Sequence, residues 1–162
     1  MKKLRLLVTE KCNRNCLRCV NKDMDLKNLP VCTDFRPWDL VILTGGEPMI
    51  VSEIVRGTIN HIRHSNPCPI ILYTAKVDNI QAMLATLFFI DGLTVTLHEQ
   101  RDLIPLLNLN NVLPRGIKKT LRLNVFKGIN VPEDLLGKWI IKDNIEWIKN
   151  CPMPSGETFM RL

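Results

Sequence analysis

Leu4-Arg5-Leu6-Leu7-Val8-Thr9-Glu10-Lys11-Cys12-Asn13-Arg14-Asn15-Cys16-Leu17-Arg18-Cys19 passes from an apolar run into three cysteines spaced C-x3-C-x2-C. The unbroken Leu-Leu-Val reads as part of a strand over Lys3 to Thr9, buried on both faces. The cysteines fall in the loop at its carboxyl end. Half of the chain's six cysteines stand in these eight residues, so one loop can bring three sulfurs together. Thiolates are soft ligands that suit zinc or iron–sulfur centres. A closed zinc site or an ordinary four-iron cluster takes four protein ligands. Three leave one position open for chemistry. The other reading is a zinc or redox loop whose fourth ligand is Cys32, Cys68, Cys151 or a histidine.

The same order, apolar run then special loop, recurs downstream. Trp38 to Thr44 reads as a second strand and runs into Gly45-Gly46-Glu47-Pro48. Glycines here let backbone approach a ligand, or make a tight turn. Only 18 residues separate Cys19 from Trp38, so a helix between the first two strands is short or missing. Ser52 is expected to cap a helix with Ile54, Val55, Ile59 and Ile62 on one face, ended by Asn66-Pro67. Pro69 to Thr74 is a third strand. Asp78 or Asn79 caps a helix carrying Ile80, Met83, Leu84, Leu87 and Phe88 at helical spacing. Leu93 to His98 alternates: Leu93, Val95 and Leu97 on one face, Thr94, Thr96 and His98 on the other. Asp102 starts a short helix, residues 108–119 form a polar, basic loop, and Thr120 to Phe126 alternates again. Pro132 to Gly137 brackets a short helix, and Trp139 to Lys142 is a last strand. Residues 143–162 are expected as a tail draped on the core.

Strands alternating with helices imply an α/β fold with right-handed crossovers and a mainly parallel sheet. Sites in such sheets lie at the carboxyl ends of strands. Both special loops fall there. The length of 162 residues suits one domain, 1–162, with a cluster loop at 10–22.

With both motifs present, the chain resembles the radical S-adenosylmethionine (SAM) superfamily. The resemblance implies an open, partial (β/α)6 barrel. It implies a [4Fe-4S] cluster held by Cys12, Cys16 and Cys19, with SAM on the open iron. Gly45, Gly46, Glu47 and Pro48 match the segment that contacts the SAM amino group. The implied chemistry is reductive cleavage of SAM to a 5'-deoxyadenosyl radical that abstracts hydrogen from a substrate. Thr74, Thr96 and Asn124 are candidate SAM contacts at strand ends, Arg122 a candidate carboxylate or phosphate clamp, and His98 a candidate proton donor or substrate contact. The aromatic residue often found before the third cysteine in this family is Arg18 here. A planar guanidinium can stack on a base.

Within Cys12 to Lys22, C-x3-C-x2-C-x-N-K is similar to anaerobic ribonucleotide reductase activating proteins. A glycyl radical enzyme is then the expected partner. Alternatives are a metabolite- or peptide-modifying radical SAM enzyme, and a non-catalytic iron–sulfur or zinc module. The Asp-Thr of 7-carboxy-7-deazaguanine synthase-like proteins is replaced by Val20-Asn21.

The net charge is +6, concentrated in two segments. Residues 1–37 hold nine Lys/Arg against four acids, and residues 103–132 hold five against none. A basic surface around the cluster loop would steer an acidic one-electron reductant such as a flavodoxin, with Lys11, Arg14 and Arg18 as docking residues. Aromatics are only 6%, with no aromatic–basic interleaving, which argues against a nucleic-acid stacking platform. No apolar run reaches membrane-spanning length. Cysteines in such a chain read as thiols and metal ligands, and the expected location is cytoplasmic.

Overall fold

The computed structural model describes residues 1–16, 19–22, 24–148 and 154–162. Seven strands form one sheet: β1 Lys3–Leu7, β2 Leu40–Thr44, β3 Ile70–Thr74, β4 Gly92–Leu97, β5 Thr120–Phe126, β6 Ile140–Ile145 and β7 Glu157–Arg161. Their order is β6-β5-β4-β3-β2-β1-β7, every neighbouring pair is parallel, and the sheet is open. Three helices connect the central strands: α1 Ser52–Ser65, α2 Ile80–Leu87 and α3 Leu103–Val112. Strands β1 to β6 lie in sequence order. Right-handed crossovers that never reverse order put every connecting helix on the same face.

That face is the core. Leu6, Leu43, Leu72, Leu93 and Leu121 form one row across five strands by register, and none is more than 2% exposed. Val55, Ile59 and Ile62 of α1, Met83 and Leu87 of α2, and Leu103, Leu106 and Leu109 of α3 join the same buried cluster. The other face is polar. Thr96, Asn124 and Lys142 form a row there by register. One face therefore holds the fold together, and the other is left for a site.

Several expectations change. The predicted stripes were too wide: Ile54, Leu84 and Phe88 are 52%, 38% and 77% exposed. Helix α2 stops at Leu87, so Phe88 sits in the turn beyond it. Ser52 caps nothing, because a 3-10 turn over Pro48–Val51 precedes α1 and Glu47 caps that turn. Asn79 is the cap of α2, accepting from the Ala82 N–H. The expected loop at 108–119 begins in α3, which continues to Val112, and β6 runs on to Ile145.

The tail is the main correction. Residues 157–161 do not drape over the core but form the edge strand β7 beside β1. Arg5 donates to Glu157 at 2.6 Å, and its guanidinium lies over the rings of Tyr73 and Phe159 at 4.9 and 5.5 Å. Val31 bridges Arg161 on the outer side of β7, which shields part of that edge. Between β1 and β2 stand two 3-10 turns, Val20–Lys22 and Leu26–Asn28, with no α-helix among the described residues. No helix of the described residues is long and apolar enough to cross a membrane.

Candidate functional site

The carboxyl ends of β1 to β6 surround a cavity of about 480 Å³. The loop after β1 contributes Cys12, Arg14, Cys16, Cys19 and Asn21, and the end of β2 contributes Thr44 to Pro48. Tyr73, Thr74 and Ala75 come from β3, Thr96 and His98 from β4, Phe126 from β5, and Lys142, Ile145 and Trp147 from β6 and beyond. All three cysteines, the Gly-Gly-Glu-Pro segment, Thr74, Thr96 and His98 thus meet at one mouth. Of the candidate SAM contacts only Asn124 is outside that lining; it stands between Thr96 and Lys142 on the same face.

The diglycine has a specific role. The N–H of Gly46 donates to the Thr9 carbonyl at 2.8 Å, and the N–H of Glu47 to the Lys11 carbonyl at 2.7 Å. A Cβ on Gly46 would overlap the carbonyls of Lys11 and Glu10, and one on Gly45 would overlap that of Thr9. Gly45 also has φ of 151°, which side chains disfavour. The glycines let the loop after β2 lie directly against the cysteine loop. Asn21 adds a third tie, from its amide to the Gly45 carbonyl at 2.8 Å. Lys22 closes the cysteine loop on itself, donating to the Cys16 carbonyl at 3.0 Å and to Asn15.

Glu47 is buried and faces inward. Its carboxylate accepts from the Met49 N–H, the Thr74 hydroxyl and the Ala75 N–H. A carboxylate offers about four acceptor positions, so three donors nearly fill it. Thr74 in turn accepts from the Lys76 N–H. Both residues stitch β2 to β3. Pro48 occupies the first position of the turn that Glu47 caps, where no N–H is needed.

Arg14, inside the cysteine loop, forms a bidentate pair with Asp102 at 2.9 and 2.7 Å and reaches the Ala75 carbonyl at 3.3 Å. Asp102 is buried and also accepts from the N–H groups of His98 and Glu99. Burial alone would raise its carboxyl, but Arg14 and the two N–H groups outweigh burial and hold it below its ordinary value. The expected docking role of Arg14 is therefore corrected: its guanidinium is engaged inside the protein. Lys11 is exposed. Arg18 and Cys151 lie outside the described residues.

Cys12 is exposed, while Cys16 and Cys19 are half-buried. Burial pushes the Cys16 thiol up, and Cys19 and Cys12 add to that against the pull of Arg14. A bound metal acts in the opposite sense and holds its thiols deprotonated. Among the described residues no three His, Cys, Asp or Glu side chains converge as ligands of a single metal ion. A four-iron cluster makes another demand, since each thiolate takes its own iron. Cys68 precedes β3 at the opposite end of the sheet, and Cys32 sits in the core with its thiol toward the Asp34 carbonyl. Neither lines the cavity.

His98 stacks on Phe126 and Trp147, with ring centres 5.0 and 5.4 Å away. Burial, and after it the Arg14 cation, holds its imidazole below the usual value. A neutral ring near pH 7 makes a flat wall and a weak acid, which favours the contact role over the proton-donor role. Its Nδ1, the Arg14 Nε and the Thr94 hydroxyl are buried with no partner among the described residues. Buried polar groups are rarely left so, and two of these three residues line the cavity. A second cavity of about 510 Å³ adjoins the first and shares Arg14, Cys16, His98 and Trp147 with it.

Sequence reasoning missed Asp102 as the anchor of the cysteine loop, and the Phe126–Trp147 wall. It also missed Lys142. Arg122, expected as an anion clamp, is exposed one row away from the mouth, beside Thr94 and Ile140. Only the period-two pattern of β4 and β5, continued into β6, could have pointed to Lys142. No protein-family model matches this chain, and no curated protein matches it.

Proposed function

We propose that the chain is a small radical SAM enzyme. The observation that carries this reading is the interlock of the two loops: the cysteine loop and the diglycine loop lie backbone to backbone at one mouth. Cys12, Cys16 and Cys19 would hold a [4Fe-4S] cluster, and Gly45 to Pro48 would form the adjoining wall for SAM. When bound, these groups supply one-electron cleavage of a sulfur–carbon bond and hydrogen abstraction. The protein's part is to hold the cysteine loop still, through Arg14, Asn21 and Lys22, and to wall the cavity with His98, Phe126 and Trp147 against water.

Two substrate readings follow. The Cys12-to-Lys22 pattern favours a glycyl radical enzyme as the partner. The cavity volume and its polar row favour a small molecule. An acidic, flavodoxin-like protein is the proposed electron donor, with Lys11 as an available cation.

Anaerobic reconstitution with iron and sulfide tests the reading. About four irons per chain and release of 5'-deoxyadenosine from SAM on reduction are expected. Alanine at Cys12, Cys16 or Cys19 should abolish both, and alanine at Cys32 or Cys68 neither. Retention of the cluster in Cys16→Ala would overturn the ligand assignment. A single tightly bound zinc with no SAM cleavage would favour the non-catalytic module. A partner pull-down then separates the activating protein from the metabolite enzyme.

A further inference from the structure

Several polar groups at the mouth are already engaged. Glu47, Thr74, Arg14 and Asp102 all have partners within the protein. Glu146, also at the mouth, pairs with Lys127 at 2.8 Å. Thr96, Asn124 and Lys142 differ: among the described residues their side chains make no hydrogen bond or ion pair. Yet they are not scattered. Register places them side by side on β4, β5 and β6, on the polar face of the sheet, and Thr96 and Lys142 line the cavity. Adjacent strands stand about 4.8 Å apart, so one small group can touch neighbouring members of the row.

The three share one capacity. A lysine ammonium offers three donors, an asparagine amide two and a threonine hydroxyl one. Lys142 is the one charged group lining the cavity that lacks a protein partner among the described residues. Donors in a row, one of them cationic, suit an anionic oxygen group. We propose that Thr96, Asn124 and Lys142 form an oxyanion site that holds a carboxylate or phosphate of a small ligand in the cavity. Trp147 and His98, stacked on each other in the lining of the same cavity, give that ligand a flat wall. This deepens the radical SAM reading by naming the chemistry of what enters beside the cofactor.

The test uses the whole chain described here, reduced, and two probe pairs that each differ in one anionic group. Adenosine 5'-monophosphate against adenosine reports phosphate. N-acetylglycine against its methyl ester reports carboxylate. Calorimetry should show tighter binding of the anionic member in at least one pair, and which pair shows it identifies the source. Lys142→Met should erase that preference, about tenfold in affinity, while the neutral member binds as before. Lys142→Arg should keep it. Equal loss of neutral and anionic probes in Lys142→Met, or no dependence on Lys142 in either pair, overturns the site. Iron and sulfide are measured on the same preparations. A four-iron cluster with no Lys142 dependence overturns this proposal alone. Lys142 dependence in protein that takes up no iron keeps the oxyanion site and overturns the radical SAM reading.

Discussion

On the loop side of the mouth, four polar residues point at the protein itself: Glu47 and Thr74 at each other and at backbone, Arg14 and Asp102 at each other and at three loops. On the strand side, Thr96, Asn124 and Lys142 share the open face of the sheet, Thr96 and Lys142 lining the cavity, with no side-chain partner among the described residues. The first set fixes the cysteine loop in place. The second keeps its donors for a ligand. The difference teaches that a residue at a mouth is not thereby a ligand contact. What separates the two roles is whether its hydrogen bonds are already made.

Mutations can break this contrast, and the largest effect is expected at Asp102. Asp102→Ala leaves Arg14 and two N–H groups without their acceptor and should cost about 3–5 kcal/mol by denaturant unfolding. Asp102→Asn, which keeps the shape, should cost less. If both are neutral, the cysteine loop is held by other ties. Next comes Gly46→Val. Its side chain meets the backbone of Lys11 and Glu10, so it should cost about 2 kcal/mol and displace the cysteine loop. Iron uptake should then fall together with SAM binding. Loss of SAM binding with iron intact would return Gly46 to the role of a direct ligand contact. Gly57, in α1, has no atom near a built Cβ, so Gly57→Ala should instead stabilise by up to about 1 kcal/mol.

The strand row should behave in the opposite way. Thr96→Val and Asn124→Ala should change stability by no more than about 0.5 kcal/mol, while weakening whatever the cavity binds. A large loss of stability from Asn124→Ala would erase the distinction between the two sides.

The smallest effect is in acid. The Asp102 carboxyl is held low in the fold. Its contribution is therefore present above the unfolded value near 4 and is lost as pH falls through the folded value. His98 is also held low, so the unfolded chain binds more protons and stability declines as pH drops below about 6.5. Unfolding curves at several pH values should show both slopes. Asp102→Asn should remove the lower one, and Lys142→Met should leave both unchanged.

Much of this arrangement was legible in local pattern. Period-two alternation assigned Leu93, Val95 and Leu97 to the core and Thr96 to the open face, and both assignments agree with burial. Six strands and their carboxyl-end loops followed from apolar runs bounded by Gly, Pro and Asn. What local pattern lacks is partnership at a distance. Arg14 and Asp102 are 88 residues apart, and nothing near either announces the other. Read alone, Arg14 looked like a docking cation and Asp102 like a helix cap. Trp147 lies in a segment with no period to follow. Strand β7 is short, with a single aromatic residue, and earns its place through backbone pairing and the Arg5–Glu157 bond rather than through a hydrophobic signal. Arg122 and Lys142 differ only by which row of the polar face reaches the mouth, and that is set by register.

The pairing of β7 with β1 has a consequence for how the molecule is made. Arg5 and Glu157 are 152 residues apart, so β1 leaves the ribosome long before the strand that pairs with its edge. Until then one side of Leu4 to Leu7 carries unpaired backbone, beside a loop with three thiols. An open strand edge is a template for joining another chain. Long-range pairing of this kind also slows folding. Synthesis is thus a period of exposure for the very loop that the finished fold clamps, and loss of residues 157–161 would make that exposure permanent.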